Sequence, residues 1–177
     1  MPTYTATIPT PPGPFTIVAS DEAVLASGWT DDPERLRAMI GAELRPAGEL
    51  RAKRDLGPFT RAVKDYVAGG LTAIDPVPVS VSSTPFYERA WAELRLIPAG
   101  APETYGQLAA RCESPAAVRA AGTACGRNPA ALFVPCHRIV RTGGGLGGFG
   151  YGLPVKRWLL DHESGTSQLR GTGAQPA

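Results

Sequence analysis

Histidine is scarce in this chain of 177 residues, with two copies, and cysteine is nearly as rare, with three. Neither occurs in the first 111 residues, so the N-terminal part has no soft metal-ligating set of the zinc kind. A small, odd number of cysteines does not make a disulfide framework, and free thiols fit a reducing compartment. No apolar run approaches the ~20 residues of a membrane-spanning helix. The first residues lack the charged-then-apolar pattern of a secretory signal. The expected location is therefore cytoplasmic. Charge of one sign is also scarce, with a net of +2. It is unevenly spread, at 8 basic and 10 acidic residues over positions 1–82 and 10 and 6 over 83–177. The second half is thus the basic half, which permits a polyanionic partner there without requiring one.

Glycine (21) and proline (18) are plentiful and punctuate the chain. Thr3–Ile8, Phe15–Ser20 and Val24–Trp29 read as short strands, the first two separated by the proline-rich turn Pro9–Pro14. Asp32-Pro33 opens a helix expected to reach Leu44, with Leu36, Met39 and Ile40 on one face. A second helix is expected over Pro58–Val67, and proline-punctuated Ile74–Val81 reads as a linker or edge strand.

After residue 83 the pattern is helical. Thr84-Pro85 starts a helix whose apolar face carries Phe86, Ala90, Trp91, Leu94 and Ile97. Thr104–Cys112 and Ala116–Cys125 follow as two short helices around Glu113-Ser114-Pro115, a helix-turn-helix candidate. In the second, Val118, Ala121, Gly122 and Cys125 form the expected inward face, which leaves Arg119 outside it. Phe133–Val140 reads as a core segment. Thr142–Gly152 contains seven glycines and must be a loop, and Leu153–Glu163 reads as the last helix. The expectation is an α+β chain with an N-terminal α/β domain (1–76), a linker (77–83) and a mainly helical domain (84–164). A disordered tail is expected over 165–177.

The chemistry concentrates at Pro135-Cys136-His137-Arg138, between Asn128-Pro129 and the glycine-rich loop. A thiol beside a histidine can become an activated nucleophile, and a carboxylate can orient the histidine. Glu163, at the end of the last helix, is the candidate carboxylate. A buried cysteine is also an ordinary small core residue, and Cys–His pairs serve hydrolases as well as transferases. The residues around Cys136 leave these readings open.

Thr104-Tyr105-Gly106-Gln107-Leu108-Ala109, Asn128-Pro129, Val134-Pro135-Cys136-His137-Arg138 and Val155–Glu163 together resemble the O6-alkylguanine-DNA alkyltransferases, the methylated-DNA–protein-cysteine methyltransferases. Phe86–Ile97 with Pro98-Ala99-Gly100, and Gly13-Pro14-Phe15-Thr16, extend the likeness, which is dense over 84–163 and looser before. The resemblance implies a ribonuclease H-like N-terminal domain and a helix-turn-helix domain that meets double-stranded DNA from the minor groove. It implies single-turnover repair in which Cys136 accepts the alkyl group of a flipped-out O6-alkylguanine, with O4-alkylthymine as a second candidate substrate. No cofactor and no metal are implied, and the protein is expected to act as a monomer, with clustering on DNA open.

By the same resemblance, His137 is the base that reaches Cys136 through a water, polarised by Glu163. Asn128 ties the helix pair to the active segment. Tyr105 donates to the guanine ring and crowds the phosphate, and Arg119 fills the stack left by the flipped base. Ala120 and Gly122 let the helix approach the groove. Ile139 offers a carbonyl to the exocyclic amine, and Phe149, Gly150 and Tyr151 line the alkyl pocket. The chain departs from the family pattern at Phe149-Gly150-Tyr151-Gly152 and at Tyr87, which leaves the range of adducts open. A relative of the same fold that binds lesions without transfer is the alternative; such relatives lack the cysteine present here.

Overall fold

The computed structural model describes residues 1–165. The expected tail lies outside the described residues from 166 onward.

Three strands, β1 (Thr3–Thr10), β2 (Gly13–Ala19) and β3 (Val24–Gly28), form an antiparallel meander, and β4 (Leu50–Ala52) adds in parallel beside β1. The sheet order is β3-β2-β1-β4. β2 is central and buried on both faces: Phe15 and Ile17 point to the main core, and Val18 to a second cluster with Leu25, Ala26, Leu36 and Ile40. That second cluster lies under α1 (Pro33–Met39), which Asp32 caps by accepting the Glu34 N–H. The other face of the sheet carries α2 (Pro58–Val67), with Phe59, Val63 and Tyr66 turned inward.

Four more helices follow: α3 (Pro85–Leu94), α4 (Tyr105–Arg111), α5 (Val118–Gly126) and α6 (Leu153–Ser164). Thr104 and Gln107 close a capping box at the start of α4. Trp91 of α3 donates its indole N–H to Ala124 O of α5 at 2.9 Å. A short parallel pair, β5 (Glu103–Thr104) and β6 (Ile139–Val140), fastens the start of α4 to the segment after Cys136. The main core is continuous from Phe15 and Ile17 of the sheet to Leu108, Phe133 and Leu159. Residues 78–80 pair with Val24 at the start of β3, where Ser80 N–H donates to Val24 O at 2.9 Å, and Val77 is buried. Among the described residues no helix is long and apolar enough to cross a membrane.

Two expectations need correction. The helix from Pro33 ends at Met39 and does not reach Leu44. Ile40 turns extended, and an added Cβ on Gly41 would lie 2.1 Å from Ser82 O, so the chain must leave the helix to pass that backbone. Arg45 then covers the freed carbonyls, donating to Ile40 O at 3.0 Å and Ala38 O at 3.2 Å. On α5 the inward residues are Ala121 and Ala124, while Val118 is 43% exposed. Trp91 and the core draw in the small alanine face, and the Val118–Gly122–Cys125 face is turned to a cavity.

Candidate active site

The open edge of β3 positions the reactive segment. Ser27 N–H donates to Pro129 O (2.9 Å), Ala131 N–H donates to Ser27 O (3.1 Å), and Ser27 Oγ donates to Ala131 O (2.8 Å). Asn128 closes the loop that follows α5. Its Nδ2 donates to Val134 O at 2.8 Å and its Oδ1 accepts from Ala130 N–H at 3.0 Å. Inside that loop Leu132 is held at φ +76°, a conformation that costs a non-glycine residue of order 1–3 kcal/mol. Cys136 then opens a 3₁₀ turn through Arg138.

The Cys136 thiol is buried, and burial pushes its pKa up. The Asn128 side chain and the Lys156 ammonium act in the opposite sense, favouring the thiolate. Lys156 is itself fully buried and donates to Ile139 O (2.6 Å) and Gly148 O (3.2 Å). Its charge lies in the interior, where a cation is less screened than in water.

Behind the thiol lies a buried hydrogen-bonded cluster. His137 Nε2 is 2.8 Å from Glu163 Oε2, and that oxygen also accepts from Tyr66 Oη at 2.8 Å and Arg138 Nη2 at 2.9 Å. Arg138 Nη1 reaches Ile97 O at 2.7 Å, at the end of the α3 turn. Burial raises the Glu163 carboxyl pKa, but His137 and Arg138 more than offset this and hold it well below the usual carboxylate range. Burial holds His137 below its ordinary value, against the pull of Glu163. The pair is therefore a carboxylate facing a neutral imidazole. Nε2–H donates to Glu163, and Nδ1 keeps its lone pair; Nδ1 is buried and has no hydrogen-bond partner among the described residues. A base on the residue next to the thiol, oriented by a carboxylate, is the arrangement that activates a nucleophile.

Cys136 opens onto a cavity of about 590 Å³. One wall is α5, with Arg119, Gly122 and Cys125; the opposite wall is the loop Gly147–Tyr151. Tyr105 projects between them, half-buried, with its phenol pushed up by burial. An added Cβ on Gly147, at φ +75°, would fall 2.6 Å from the Tyr105 hydroxyl, so only glycine lets the loop pass this close.

Of the residues expected at the site, Tyr105, Arg119, Gly122, Asn128, Cys136, Phe149, Gly150 and Tyr151 all line this cavity, and His137 and Glu163 stand behind it. Two do not line it. The Ile139 side chain is in the core and its carbonyl is taken by Lys156, while Ala120 lies partly buried beside Arg119 on α5. Tyr66, Lys156 and the buried role of Arg138 were not anticipated. Lys156 shares a helical face with Leu159 and Glu163, and a lysine inside an apolar stripe was the available signal. Tyr66 lies 97 residues from Glu163, and no local pattern pointed to it. Cys125, expected in the core, instead faces the cavity, with its thiol pushed up by burial.

Residues 85–165 match the family model described as the DNA binding domain of 6-O-methylguanine DNA methyltransferase. The chain is 37% identical over 158 residues to a methylated-DNA–protein-cysteine methyltransferase of Shigella flexneri, covering 88% of this chain and 92% of that one. It is 43% identical over 112 residues to the Mycobacterium tuberculosis protein of the same name, covering 62% and 67%. The fold superposes on the crystal structure of Mycobacterium tuberculosis OGT in complex with DNA, with TM-score 0.78 at 30% identity over 91% of this chain and 92% of that one. The chain belongs to the family of methylated-DNA–protein-cysteine methyltransferases.

Proposed function

We propose that the protein repairs DNA by direct reversal, moving the alkyl group from O6 of guanine to Cys136 in one irreversible step. The observation that carries this reading is Cys136 on the cavity wall with the His137–Glu163 pair behind it. His137 Nδ1 takes the thiol proton through a bridging water, and Glu163 stabilises the resulting imidazolium. The thiolate attacks the alkyl carbon, so a C–S bond forms as the C–O6 bond breaks, and the purine leaves as an anion. A proton or hydrogen bond from Tyr105 neutralises the developing charge on the ring. A thioether has no easy route back, so each protein acts once. Guanine O6 lies on the major-groove edge of the stacked pair and cannot enter the Cys136 cavity from there, so the base must be flipped out at a cost of roughly a few kcal/mol.

Within this reading α4 and α5 are the two helices of a helix-turn-helix that enters the minor groove, with Gly122 allowing close approach. Arg119, exposed on the cavity rim, fills the vacated stack. Residues 1–76 form the ribonuclease H-like part, and free buried thiols suit a cytoplasmic location. The test is to incubate the protein with a duplex bearing O6-methylguanine and record its intact mass. One added methyl group, located on Cys136 and limited to one per protein, is expected. A tightly bound duplex with unmodified Cys136 would mean a lesion-binding module.

A further inference from the structure

The loop Thr142–Gly152 is mostly glycine, so its backbone has little conformational preference of its own. Its shape must be imposed from outside. Lys156 holds Gly148 O on one side. The other attachment comes from the N-terminal part, through Tyr151.

The Tyr151 ring lies directly on the backbone of Gly28, at the end of β3. A Cβ added there would sit 2.2 Å from both Cζ and Oη of the ring, so no other residue leaves room for it. Trp29 meets the ring edge-on at 6.1 Å between centroids, and Phe149 does so at 5.8 Å. From α1, the Arg35 guanidinium stands 4.9 Å above the ring centroid while its Nη2 donates to Gly150 O at 3.1 Å. The Tyr151 hydroxyl points to Met39 Sδ at 3.8 Å. Arg35 and Met39 also reach the wall of the Cys136 cavity.

We propose that Gly28, Arg35 and Met39 are positioning residues for the alkyl-transfer site, seating Tyr151 and thereby fixing the loop wall that limits the size of the O6 substituent. This deepens the alkyl-transfer reading and rests on it. The N-terminal part then contributes to substrate range without touching the thiol. With Tyr151 seated, Phe149–Tyr151 form a closed wall. Unseated, the glycine loop is free to yield to a larger group.

The experiment compares Cys136 alkylation from the same duplex carrying either O6-methylguanine or O6-benzylguanine, followed by intact mass over time. The readout is the ratio of the two rates, in which shared effects on DNA binding cancel. Tyr151→Gly is expected to raise the benzyl-to-methyl ratio about tenfold, the scale at which an apolar pocket discriminates by size. Arg35→Ala, at an exposed side chain that folding does not need, is expected to shift the ratio the same way by about threefold. Gly28→Ala is expected to change the ratio beside Tyr151 but not in the Gly28→Ala/Tyr151→Gly double variant, where the added methyl meets no ring. Ratios within about twofold of the unaltered protein for both Arg35→Ala and Gly28→Ala would overturn the proposal. So would a Gly28→Ala effect of equal size in the Tyr151→Gly background. If the unaltered protein takes neither group, the alkyl-transfer reading falls and this one with it. If it takes methyl while the variants leave the ratio unmoved, only this one falls.

Discussion

Lys156 shows what a single residue contributes beyond its contacts. Its ammonium is buried, hydrogen-bonded to two carbonyls, and opposes the burial that pushes the Cys136 thiol pKa up. Lys156→Met keeps the volume and removes the charge, so the Cys136 pKa should rise further. Thiol titration with a small alkylating reagent is expected to show labelling at least ~10-fold slower at neutral pH, the effect of about one pKa unit. Unchanged labelling would remove Lys156 from the chemistry. At this scale much of the site was legible in the sequence, because Cys136, His137, Asn128 and Tyr105 stand in short runs of distinctive composition. The partners that complete it were not. Tyr66 and Ile97 O meet the Glu163–Arg138 cluster only through tertiary folding, and Arg35 meets Gly150 across 115 residues.

The elements were legible where they are long and periodic. The helices over 58–67 and 153–164 were expected within a residue of where they lie, because each carries a 3.6-residue apolar stripe and has a proline in its first two positions. β4, β5 and β6 were missed because two or three residues show no alternation to read. α5 was recognised but rotated in expectation. Its apolar residues are mostly alanine, with one valine and one cysteine, and do not define a face, and the indole bond from Trp91 decides which side is buried. That rotation places Val118, Arg119 and Gly122 together at the cavity. Arg119→Ala is therefore expected to slow repair in duplex DNA by about 10-fold or more, while reaction with free O6-benzylguanine changes little, since a free base needs no flipping. Equal slowing of both, by intact mass, would count against α5 as the element that enters the duplex.

For the whole molecule, the continuous core joins the sheet to the helices around Cys136, and the Glu163 cluster draws together α2, the end of α3, the 3₁₀ turn and α6. A carboxylate held below its unfolded value of about 4.3 contributes stability above that pH and loses it as pH falls. His137, held neutral by burial, adds a loss that begins below about pH 6.5, where the unfolded histidine takes up a proton. Denaturant midpoints should accordingly fall from about pH 6.5 downward and steeply below about 4.5. Glu163→Gln is expected to cost about 3–5 kcal/mol at neutral pH, because the Arg138 charge loses its partner, and to flatten the acid limb. Urea titrations of both proteins at several pH values would show it, and an acid limb as steep in the variant would place the titrating groups elsewhere.

Chains are made from the N-terminus onward, and α6 is the final element of the described fold. Cys136 leaves the ribosome before Lys156 and Glu163 do. Until α6 docks, Arg138 has no carboxylate, His137 has no orienting partner and the glycine loop lacks the ammonium that holds Gly148. The thiol at that moment lacks both the ammonium that favours its thiolate and the oriented imidazole beside it. The setting of a thiol that can be used once is thus completed only when the last described helix docks, because that helix carries both Lys156 and Glu163.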